Sequence, residues 1–403
     1  MVKKVSREGV GYSVADLNHV RYVFASAVPR RGAGVLEEAG ETLATIADVI
    51  HDQGARNGIV RQTIFVKDPG QIATCREIIH GFYGEDLPAT DYVIQPPCEG
   101  HWLAIEAWGV GRRNGGSLAI ERVSENLVIV RHSDLVWAHC AGILPQTEAS
   151  GVHARALDAF SRMRDVLAGR GFGYDQVVRT WLYLGDIVGP EGATQRYKEL
   201  NRARADFYQD VHFLRQHLPP SVNGAVFPAS TGIGASDRDV MMSSIALTTD
   251  RKDLVLLPLE NPLQTSAFRY EPCYSAQSPK FCRAMAVIGR EAVAVLISGT
   301  ASIVQSETRA TGNVEGQTHQ TLDNIEALVA ARNFARYGFP GVGATLRDLV
   351  LARVYIKRPE DYKKARAICE ARLGELPTVY AIADVCRPEL LVEIEGVVVA
   401  PKA

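Results

Sequence analysis

The sequence lacks the marks of several common classes of protein. Its 403 residues hold 44 Lys and Arg against 46 Asp and Glu, a formal net charge of -2. The basic excess usual in nucleic-acid-binding proteins is therefore absent. No apolar run approaches the ~18 residues of a transmembrane helix, and the basic N-terminal residues are not followed by the apolar stretch of a signal peptide. We expect a cytoplasmic protein without a nucleic-acid or membrane partner.

Cysteine is also sparse, and the sequence contains no recognisable metal or cofactor motif. The seven cysteines include no CxxC pair, which indicates a reducing compartment in which most of them are small buried hydrophobes. Zinc-ligand spacing, a P-loop and a dinucleotide fingerprint are all missing. The glycine-rich segments 231–234 and 338–343 are interpreted as turns, and lone histidines such as His139 as hydrogen-bonded structural residues. We expect neither a metal nor an organic cofactor.

An internal repeat of about a third of the chain is present instead. In the last third, periodicity predicts strand, helix, strand, helix and two closing strands at residues 293–300, 314–329, 349–357, 360–373, 379–384 and 390–399. The first third gives the corresponding segments 20–27, 35–53, 60–68, 72–83 and 103–108, and the middle third gives 135–142, 154–168, 178–184, 197–208 and 240–247.

The repeat predicts an α+β fold made of three units, residues 1–115, 116–252 and 253–403. A sheet covered by helices on one face has a second apolar face to bury, and three such units in one chain can bury these faces against one another. The alternative is a pair of unrelated α+β domains, which the matched order of elements makes the weaker interpretation.

Three segments of the last unit are similar to a known family. Residues 317–325 (QTHQTLDNI), 354–357 (VYIK) and 392–396 (VEIEG) resemble the RidA/YjgF-like, or chorismate-mutase-like, superfamily. Its members are homotrimers with ligand sites in the clefts between subunits. The resemblance implies that three RidA-like units in one chain form an internal pseudo-trimer, which we expect to be a monomer because it needs no partner to close.

Longer segments narrow the resemblance to one group of enzymes. Those segments are 179–184 (RTWLYL), 196–208 (RYKELNRARADFY), 228–234 (PASTGIG), 261–270 (NPLQTSAFRY), 281–284 (FCRA) and 386–393 (CRPELLVE). Together they resemble the chorismatases, which split chorismate into pyruvate and a cyclic acid. The resemblance therefore implies that the small-molecule substrate is chorismate, a dicarboxylate enol ether.

Cleavage of such an ether needs a proton on the enolpyruvyl methylene carbon, and Glu393 is the candidate donor. Glu393 and Glu395 are two apart on a predicted strand, so both side chains point to one face. Burial and a neighbouring carboxylate would raise the pKa of one of them. By alignment of the three units, Glu395 matches Glu106 and Ser244, whereas Glu393 matches Ala104 and Met242. The acid at 393 is thus unique to the third unit, and the chorismatase resemblance implies that it is catalytic; a strand glutamate in a salt bridge is the alternative.

Two substrate carboxylates call for basic partners, and arginine binds carboxylates through two parallel hydrogen bonds. The candidate substrate-binding residues are Arg283, Arg353, Arg204, Arg179, Tyr274, Gly299, Thr231 and Gly232. Arg353 interrupts a predicted buried strand, and Tyr274 could add a hydroxyl donor. Each arginine alone is as readily explained as a solvated side chain.

Gly299 and Cys386 bear on the product that the resemblance implies. A small residue at 299 and a thiol at 386 resemble the chorismatases that form 3-hydroxybenzoate, with Gly299 leaving room above the ring and Cys386 shaping the pocket and assisting proton removal. A bulge glycine and a buried cysteine are the alternatives.

Three other functions stay open: a chorismatase forming 3,4-dihydroxycyclohexa-1,5-diene carboxylate by hydrolysis, a RidA-like imine deaminase, and a non-catalytic binder of aromatic acids. The segment 377–382 (PTVYAI) lacks the arginine that imine hydrolysis needs.

Overall fold

In the residues that the structure describes, the fold is α+β, with three six-stranded sheets and two short two-stranded ribbons. The computed structural model describes residues 2–17, 19–32, 34–113, 115–271 and 277–402. Among these residues no helix is long and apolar enough to cross a membrane. In the same part of the chain, no cluster of three or more His, Cys, Asp or Glu side chains could hold a metal ion.

The first sheet is built from the first third of the chain. Its elements are β1 (Lys3–Arg7), β2 (Val10–Leu17), β3 (Val20–Ala27), α1 (Val35–Asp52), β4 (Ile59–Val66), α2 (Ile72–Tyr83), β5 (Ala89–Ile94) and β6 (Leu103–Arg112). The strands lie in the order β1-β2-β3-β6-β4-β5. Only β4 and β5 pair in parallel, and α1 packs on β3 and β6.

The second sheet follows with the same plan. Its elements are β7 (Ala119–Ser124), β8 (Leu127–His132), β9 (Leu135–Ile143), α3 (Val152–Ala168), β10 (Val177–Gly185), the ribbon strands β11 (Pro190–Glu191) and β12 (Thr194–Gln195), α4 (Arg196–Phe207), β13 (Ala229–Ala235) and β14 (Val240–Thr249). The order is β7-β8-β9-β14-β10-β13, with β10 and β13 parallel and α3 on β9 and β14.

The third sheet repeats the plan once more. Its elements are β15 (Val255–Leu259), β16 (Ala284–Ile288), β17 (Ala292–Ala301), the ribbon strands β18 (Ile303–Val304) and β19 (Glu307–Thr308), α5 (Val314–Val329), α6 (Ala331–Ala335), β20 (Leu349–Ile356), α7 (Tyr362–Leu373), β21 (Thr378–Ile382) and β22 (Val392–Pro401). The order is β15-β16-β17-β22-β20-β21, with β20 and β21 parallel and α5 on β17 and β22.

The three sheets contact one another in a cycle. The parallel edge strand of each sheet meets the third strand of the next, since β5 contacts β9, β13 contacts β17 and β21 contacts β3. One apolar cluster joins inward-facing residues of all three sheets, among them Trp108, Ile245 and Val397. The faces opposite the helices are therefore buried against each other, as expected for half-covered sheets.

The strands at the centre of the cycle are buried along their whole length. Every residue of β4, β10 and β20 is buried, yet each strand carries one arginine: Arg61, Arg179 and Arg353. A buried guanidinium group must be paired or hydrogen-bonded. The centre of the molecule is consequently a polar network enclosed in an apolar core.

Two sequence-based predictions need correction. Residues 231–234 are not a turn but part of β13. Glycine is required there by close approaches: a Cβ at Gly232 would lie 3.0 Å from Cε2 of Tyr197, and one at Gly234 would lie 2.7 Å from the carbonyl oxygen of Asp384. In addition, the alignment of the middle unit was one residue out of register.

The strand pairings give the corrected alignment. A bulge leaves Glu395 between the paired residues Ile394 and Gly396 of β22, and the same irregularity leaves Ser243 between two paired residues of β14. Glu395 therefore corresponds to Ser243, not Ser244, and Glu393 corresponds to Met241, not Met242. The third sheet still carries the sole carboxylate at the position of Glu393, because the first has Ala104 there.

Candidate active site

A cavity between the second and third sheets collects most of the predicted site residues. Its volume is about 90 Å³, and it is lined by Gln195, Tyr197, Lys198, Asn201, Arg204, Ser230, Gly232, Tyr270, Pro279, Phe281, Arg283, Gly299, Ala301, Ile303, Cys386, Arg387 and Glu393. Helix α4 and strand β13 supply one wall, and β17 and β22 supply the other. Ligand pockets usually have volumes of ~300–1,000 Å³, so this cavity is smaller than the usual range.

Glu393 is the carboxylate that faces this cavity, and Gly299 makes room for it. Glu393 is 4% exposed, and among the described residues its carboxyl group has no hydrogen-bond partner. A Cβ on Gly299 would overlap Oε1 of Glu393 and lie 2.9 Å from its Cδ and 3.1 Å from Cγ2 of Thr231. The space left by the missing side chain at 299 is thus occupied by the carboxyl group itself.

The electrostatic surroundings of Glu393 favour its protonated form. Burial raises its pKa to about 8, the nearby Glu395 adds to the shift, and Arg179 and Arg283 only partly oppose it. Without an ion-pair partner, the carboxyl group stays neutral at pH 7 and is available as a proton donor.

Glu395, two residues further along β22, has the opposite environment. Its carboxylate pairs with Arg179 and lies 3.3 Å from Nη1 of Arg353. Burial alone would raise its pKa, but these two guanidinium groups, helped by hydrogen bonds from Thr231 and Trp181, hold the pKa below its usual range. Two neighbouring glutamates therefore carry different charges at neutral pH, one protonated and one ionised.

Glu395 belongs to the network at the centre of the molecule. Arg353 binds Glu106 through two hydrogen bonds, from Nε to Oε2 (2.7 Å) and from Nη2 to Oε1 (2.8 Å). Thr231 donates to Glu395 and its hydroxyl oxygen accepts from the backbone N–H of Gly299 (2.9 Å). The network thereby fixes the backbone of Gly299 beside Glu393.

Two buried arginines in the cavity wall lack a carboxylate partner. Arg204 is 1% and Arg283 is 4% exposed. Arg204 donates to Asn201 Oδ1 (2.5 Å) and Ser230 Oγ (3.3 Å), and Arg283 donates to the carbonyl oxygen of Thr265 (2.9 Å) and the hydroxyl of Tyr270 (2.7 Å). No acidic oxygen of the described residues lies within 4.0 Å of either guanidinium group, and the Nε of each has no hydrogen-bond partner. Glu260 is near enough to contribute to the raised pKa of Arg283 but forms no ion pair with it. A buried guanidinium group without an ion-paired carboxylate is suited to binding an anionic ligand.

Cys386 lines the same cavity as a thiol. Burial raises its pKa to about 12, with a further contribution from Glu393. The thiol is therefore protonated at neutral pH and is a poor base. Its position allows it to shape the cavity, whereas proton removal by Cys386 has no support in this environment.

The structure brings together six of the ten predicted site residues: Glu393, Cys386, Arg283, Arg204, Gly299 and Gly232. Three others, Arg353, Arg179 and Thr231, lie outside the cavity lining and belong to the central network. Their polar groups already bind other protein groups. Their placement therefore does not support direct contact with the substrate carboxylates. Tyr274 lies outside the described residues.

Sequence reasoning missed several residues of the cavity wall. Tyr197, Asn201, Phe281, Tyr270 and Arg387 all line it. All five fall inside the segments that carried the chorismatase resemblance. The family resemblance therefore pointed to the correct segments. The sequence alone could not show which residues of those segments line the cavity.

Gly299→Ala should reduce activity without unfolding the protein. The new methyl group would displace the carboxyl group of Glu393, which is the flexible end of a side chain, and misplacement by about 1 Å can cost ~10²-fold in rate. We expect a fall of that order in kcat with an unchanged thermal unfolding midpoint. Gly81→Ala in α2 is the control, because no atom lies within 4 Å of the added Cβ. Full activity in Gly299→Ala would contradict the position assigned to Glu393.

Comparisons with known proteins show what the chain is similar to. The family model for chorismatase FkbO/Hyg5-like proteins, N-terminal part, matches residues 116–246. A 3-hydroxybenzoate synthase of Streptomyces hygroscopicus is 34% identical over 266 residues, which is 64% of this chain and 73% of that protein. A chorismatase of Streptomyces rapamycinicus is 30% identical over 275 residues, covering 66% of this chain and 78% of that one.

The fold of a solved relative also matches along almost the entire chain. A chorismatase crystal structure, 20% identical in sequence, superposes with a TM-score of 0.66 over 95% of this chain and 99% of its own. The sequence identity to these relatives defines an enzyme of the chorismatase type. The chain belongs to the chorismatase family.

Proposed function

We propose that this protein cleaves chorismate into 3-hydroxybenzoate and pyruvate. The observation that carries the proposal is a protonated, buried Glu393 in a cavity that also holds Arg204 and Arg283, two buried guanidinium groups that form no ion pair with a carboxylate of the described residues. One proton donor and two anion sites match an enol ether that bears two carboxylates. The 34% identity to a 3-hydroxybenzoate synthase supports this product.

In the proposed reaction Glu393 protonates the methylene carbon of the enolpyruvyl group. The adjacent carbon becomes an oxocarbenium centre. The free ring hydroxyl then attacks the ring carbon that bears the ether and loses its proton, the bond from that carbon to the ether oxygen breaks, and pyruvate leaves with the ether oxygen as its keto oxygen. The epoxide left on the ring opens at its other carbon, its oxygen takes up a proton, and loss of the hydrogen from the first carbon gives 3-hydroxybenzoate. Chorismate has the same composition as pyruvate plus 3-hydroxybenzoate, so no water is consumed overall. Glu393 gives up one proton in the first step and must regain one to complete the cycle. The ring loses a proton when it becomes aromatic, and the ionised carboxylate of Glu393 is the base in the cavity that can accept this proton.

The other residues have positioning roles in this scheme. Arg204 and Arg283 bind the substrate carboxylates, Gly232 keeps the cavity open beside α4, and Cys386 bounds it next to Glu393. Arg179, Arg353 and Thr231 act through Glu395 and Gly299, not on the substrate. We assign them to holding the ionised Glu395 and the backbone that supports Glu393.

Incubation of the purified protein with chorismate tests the proposal. Chromatography of the mixture should show 3-hydroxybenzoate and pyruvate in equal amounts without added metal. Pyruvate with a dihydroxycyclohexadiene acid instead would establish the hydrolytic chorismatase, whose product contains the elements of one water more. Absence of pyruvate would overturn both activities and leave a binding protein.

Loss of either unpaired arginine should weaken substrate binding. A hydrogen bond to a charged group contributes about 1.5–3 kcal/mol, so Arg204→Met and Arg283→Met should each raise KM about 10- to 150-fold with a smaller effect on kcat. Arg372→Met is the matched control, because Arg372 pairs with Asp323 (2.7 Å) and Glu326 (3.0 Å) on the surface. Unchanged KM in both cavity variants would mean that the substrate carboxylates bind elsewhere.

The activity should fall on the alkaline side of neutrality. Only protonated Glu393 is a donor, and burial sets its pKa to about 8. We therefore expect kcat/KM to be constant near pH 7 and to decline about tenfold per pH unit above pH 8. Cys386→Ser should show the same alkaline limb, since the thiol has a pKa of about 12. An alkaline limb that vanishes in Cys386→Ser would assign the titration to the thiol.

We also propose that residues 1–115, 116–252 and 253–403 are three RidA-like units forming an internal pseudo-trimer that is monomeric. Two observations support this arrangement: the strand order common to the three sheets and the cyclic contacts β5–β9, β13–β17 and β21–β3. Three equivalent clefts would result, and only the one between the second and third units contains a carboxylate at the position of Glu393.

A further inference from the structure

A second and larger cavity lies where the three sheets meet. Its volume is about 300 Å³, and it shares no lining residue with the active-site cavity. The first sheet contributes Tyr22, Phe24 and Trp108, the second contributes His132, Trp137 and His139, and the third contributes Ala294, Leu296 and Val397. Nothing in the proposed reaction uses these residues.

Aromatic rings form much of the wall. Phe24 and Trp108 meet edge to face with ring centroids 5.2 Å apart, and Trp108 meets His139 in the same way at 6.3 Å. Edge-to-face arrangements of this kind extend readily to an additional ring. The wall therefore suits an aromatic guest better than an aliphatic one.

The two histidines of the wall carry no charge. Burial lowers the pKa of His132 to about 4 and that of His139 to about 3, so both imidazoles are neutral at pH 7. Nε2 of His132 lies 2.6 Å from the hydroxyl of Tyr22. The ring of His139 was expected to be hydrogen-bonded, but its Nδ1 is buried and has no hydrogen-bond partner in the described part of the chain. A buried imidazole without a partner is costly, and a ligand hydroxyl would remove that cost.

The charged residues of the lining, Asp16, Arg290 and Glu291, are paired or exposed. Asp16 is held by Arg21 at 2.8 Å and by Arg113. The side chain of Arg290, in the turn between β16 and β17, is 80% exposed. Burial of an anion beside neutral imidazoles and aromatic rings would be unfavourable.

We propose that this central cavity is a binding site for a small uncharged aromatic molecule that carries a hydroxyl group. Dry protein cavities of about 150 Å³ bind benzene, so a cavity of about 300 Å³ has room for two fused rings. The hydroxyl group would bond to His139 and the rings would pack against Trp108 and Phe24. The site is distinct from the anion-binding cavity beside Glu393.

Calorimetric titration of the full chain with 2-naphthol at pH 7 tests the proposal. We expect one molecule to bind with a Kd below about 100 μM, a value reasonable for eleven heavy atoms. Ala294→Phe places a ring in the cavity from the half-buried face of β17 and should weaken binding at least tenfold. Ala294→Leu should weaken 2-naphthol binding less than Ala294→Phe does. The leucine variant replaces the phenylalanine variant in the test if Ala294→Phe does not fold. Ala119→Phe, at an exposed position of β7, should bind like the unmodified protein.

Three outcomes would overturn the proposal. The first is the absence of 2-naphthol binding. The second is binding that persists in folded Ala294→Phe, as judged by its thermal unfolding midpoint. The third is loss of 2-naphthol binding in Glu393→Gln, which would place the molecule in the active site. The anion 2-naphthoate should bind to the central cavity at least tenfold more weakly than 2-naphthol does. Binding to this cavity is identified by its loss in Ala294→Phe.

Discussion

Replacement of Glu393 by Gln should reduce pyruvate release from chorismate by about 10²–10⁴-fold, the range typical of a general acid. Glutamine keeps the size and polarity of the protonated carboxyl group but has no proton to donate at neutral pH. Initial rates measured by coupling pyruvate to its reduction would give the effect. The loss should appear in kcat, because Arg204 and Arg283 still bind the substrate.

The same substitution should leave the fold intact. Glu393 has no hydrogen-bond partner among the described residues and burial keeps it neutral, so a neutral amide fits its surroundings. We expect the free energy of unfolding of Glu393→Gln to be equal to or higher than that of the unmodified protein. Full pyruvate release by Glu393→Gln would exclude Glu393 as the acid.

Replacement of Glu395 by Gln should instead destabilise the protein by about 3–5 kcal/mol, the usual cost of removing one partner of a buried ion pair. Glu395 is the ionised partner of Arg179 and a neighbour of Arg353. Its carboxylate also accepts from Trp181 Nε1 and Tyr355 Oη, both at 2.9 Å. With glutamine at 395, Arg179 would be a buried cation without an anion. Urea-induced unfolding measures this loss directly.

A surface glutamate provides the comparison. Glu326 pairs with Arg372 at 3.0 Å but its side chain is 54% exposed, so Glu326→Gln should change the free energy of unfolding by less than ~1 kcal/mol. Equal stability of the Glu395→Gln and Glu326→Gln variants would contradict the importance given to the central network. The two glutamates of β22 therefore have distinguishable roles: loss of Glu393 should lower activity, and loss of Glu395 should lower stability.

Much of the fold could be predicted because the same spacing of hydrophobic residues recurs in each third of the sequence. Long buried strands such as β4 (Ile59–Val66) and β20 (Leu349–Ile356), and helices with an apolar stripe, were predicted within a few residues of their observed bounds. The strand β13 was not, because its Thr-Gly-Ile-Gly sequence has the composition of a turn. Its glycines are explained by the close approach of Tyr197 and Asp384. These residues are distant in the sequence, so the sequence around the glycines contains no pattern that predicts the contacts.

The site was predictable to the extent that it depends on residue type and family resemblance. Glu393 stood out because the other two units lack an acid at that position. The roles of Arg179 and Arg353 could not be assigned, since an arginine in a buried strand faces either a ligand or an internal carboxylate. Only the three-dimensional structure shows that Glu395 and Glu106 supply the carboxylates.

The most direct test of the account is the cleavage of chorismate in deuterium oxide. If Glu393 protonates the enolpyruvyl methylene carbon, the transferred hydrogen comes from a carboxyl group that exchanges with solvent. Pyruvate trapped immediately by reduction to lactate and analysed by mass spectrometry should then carry one deuterium in its methyl group. Pyruvate without deuterium, or no pyruvate at all, would contradict the account.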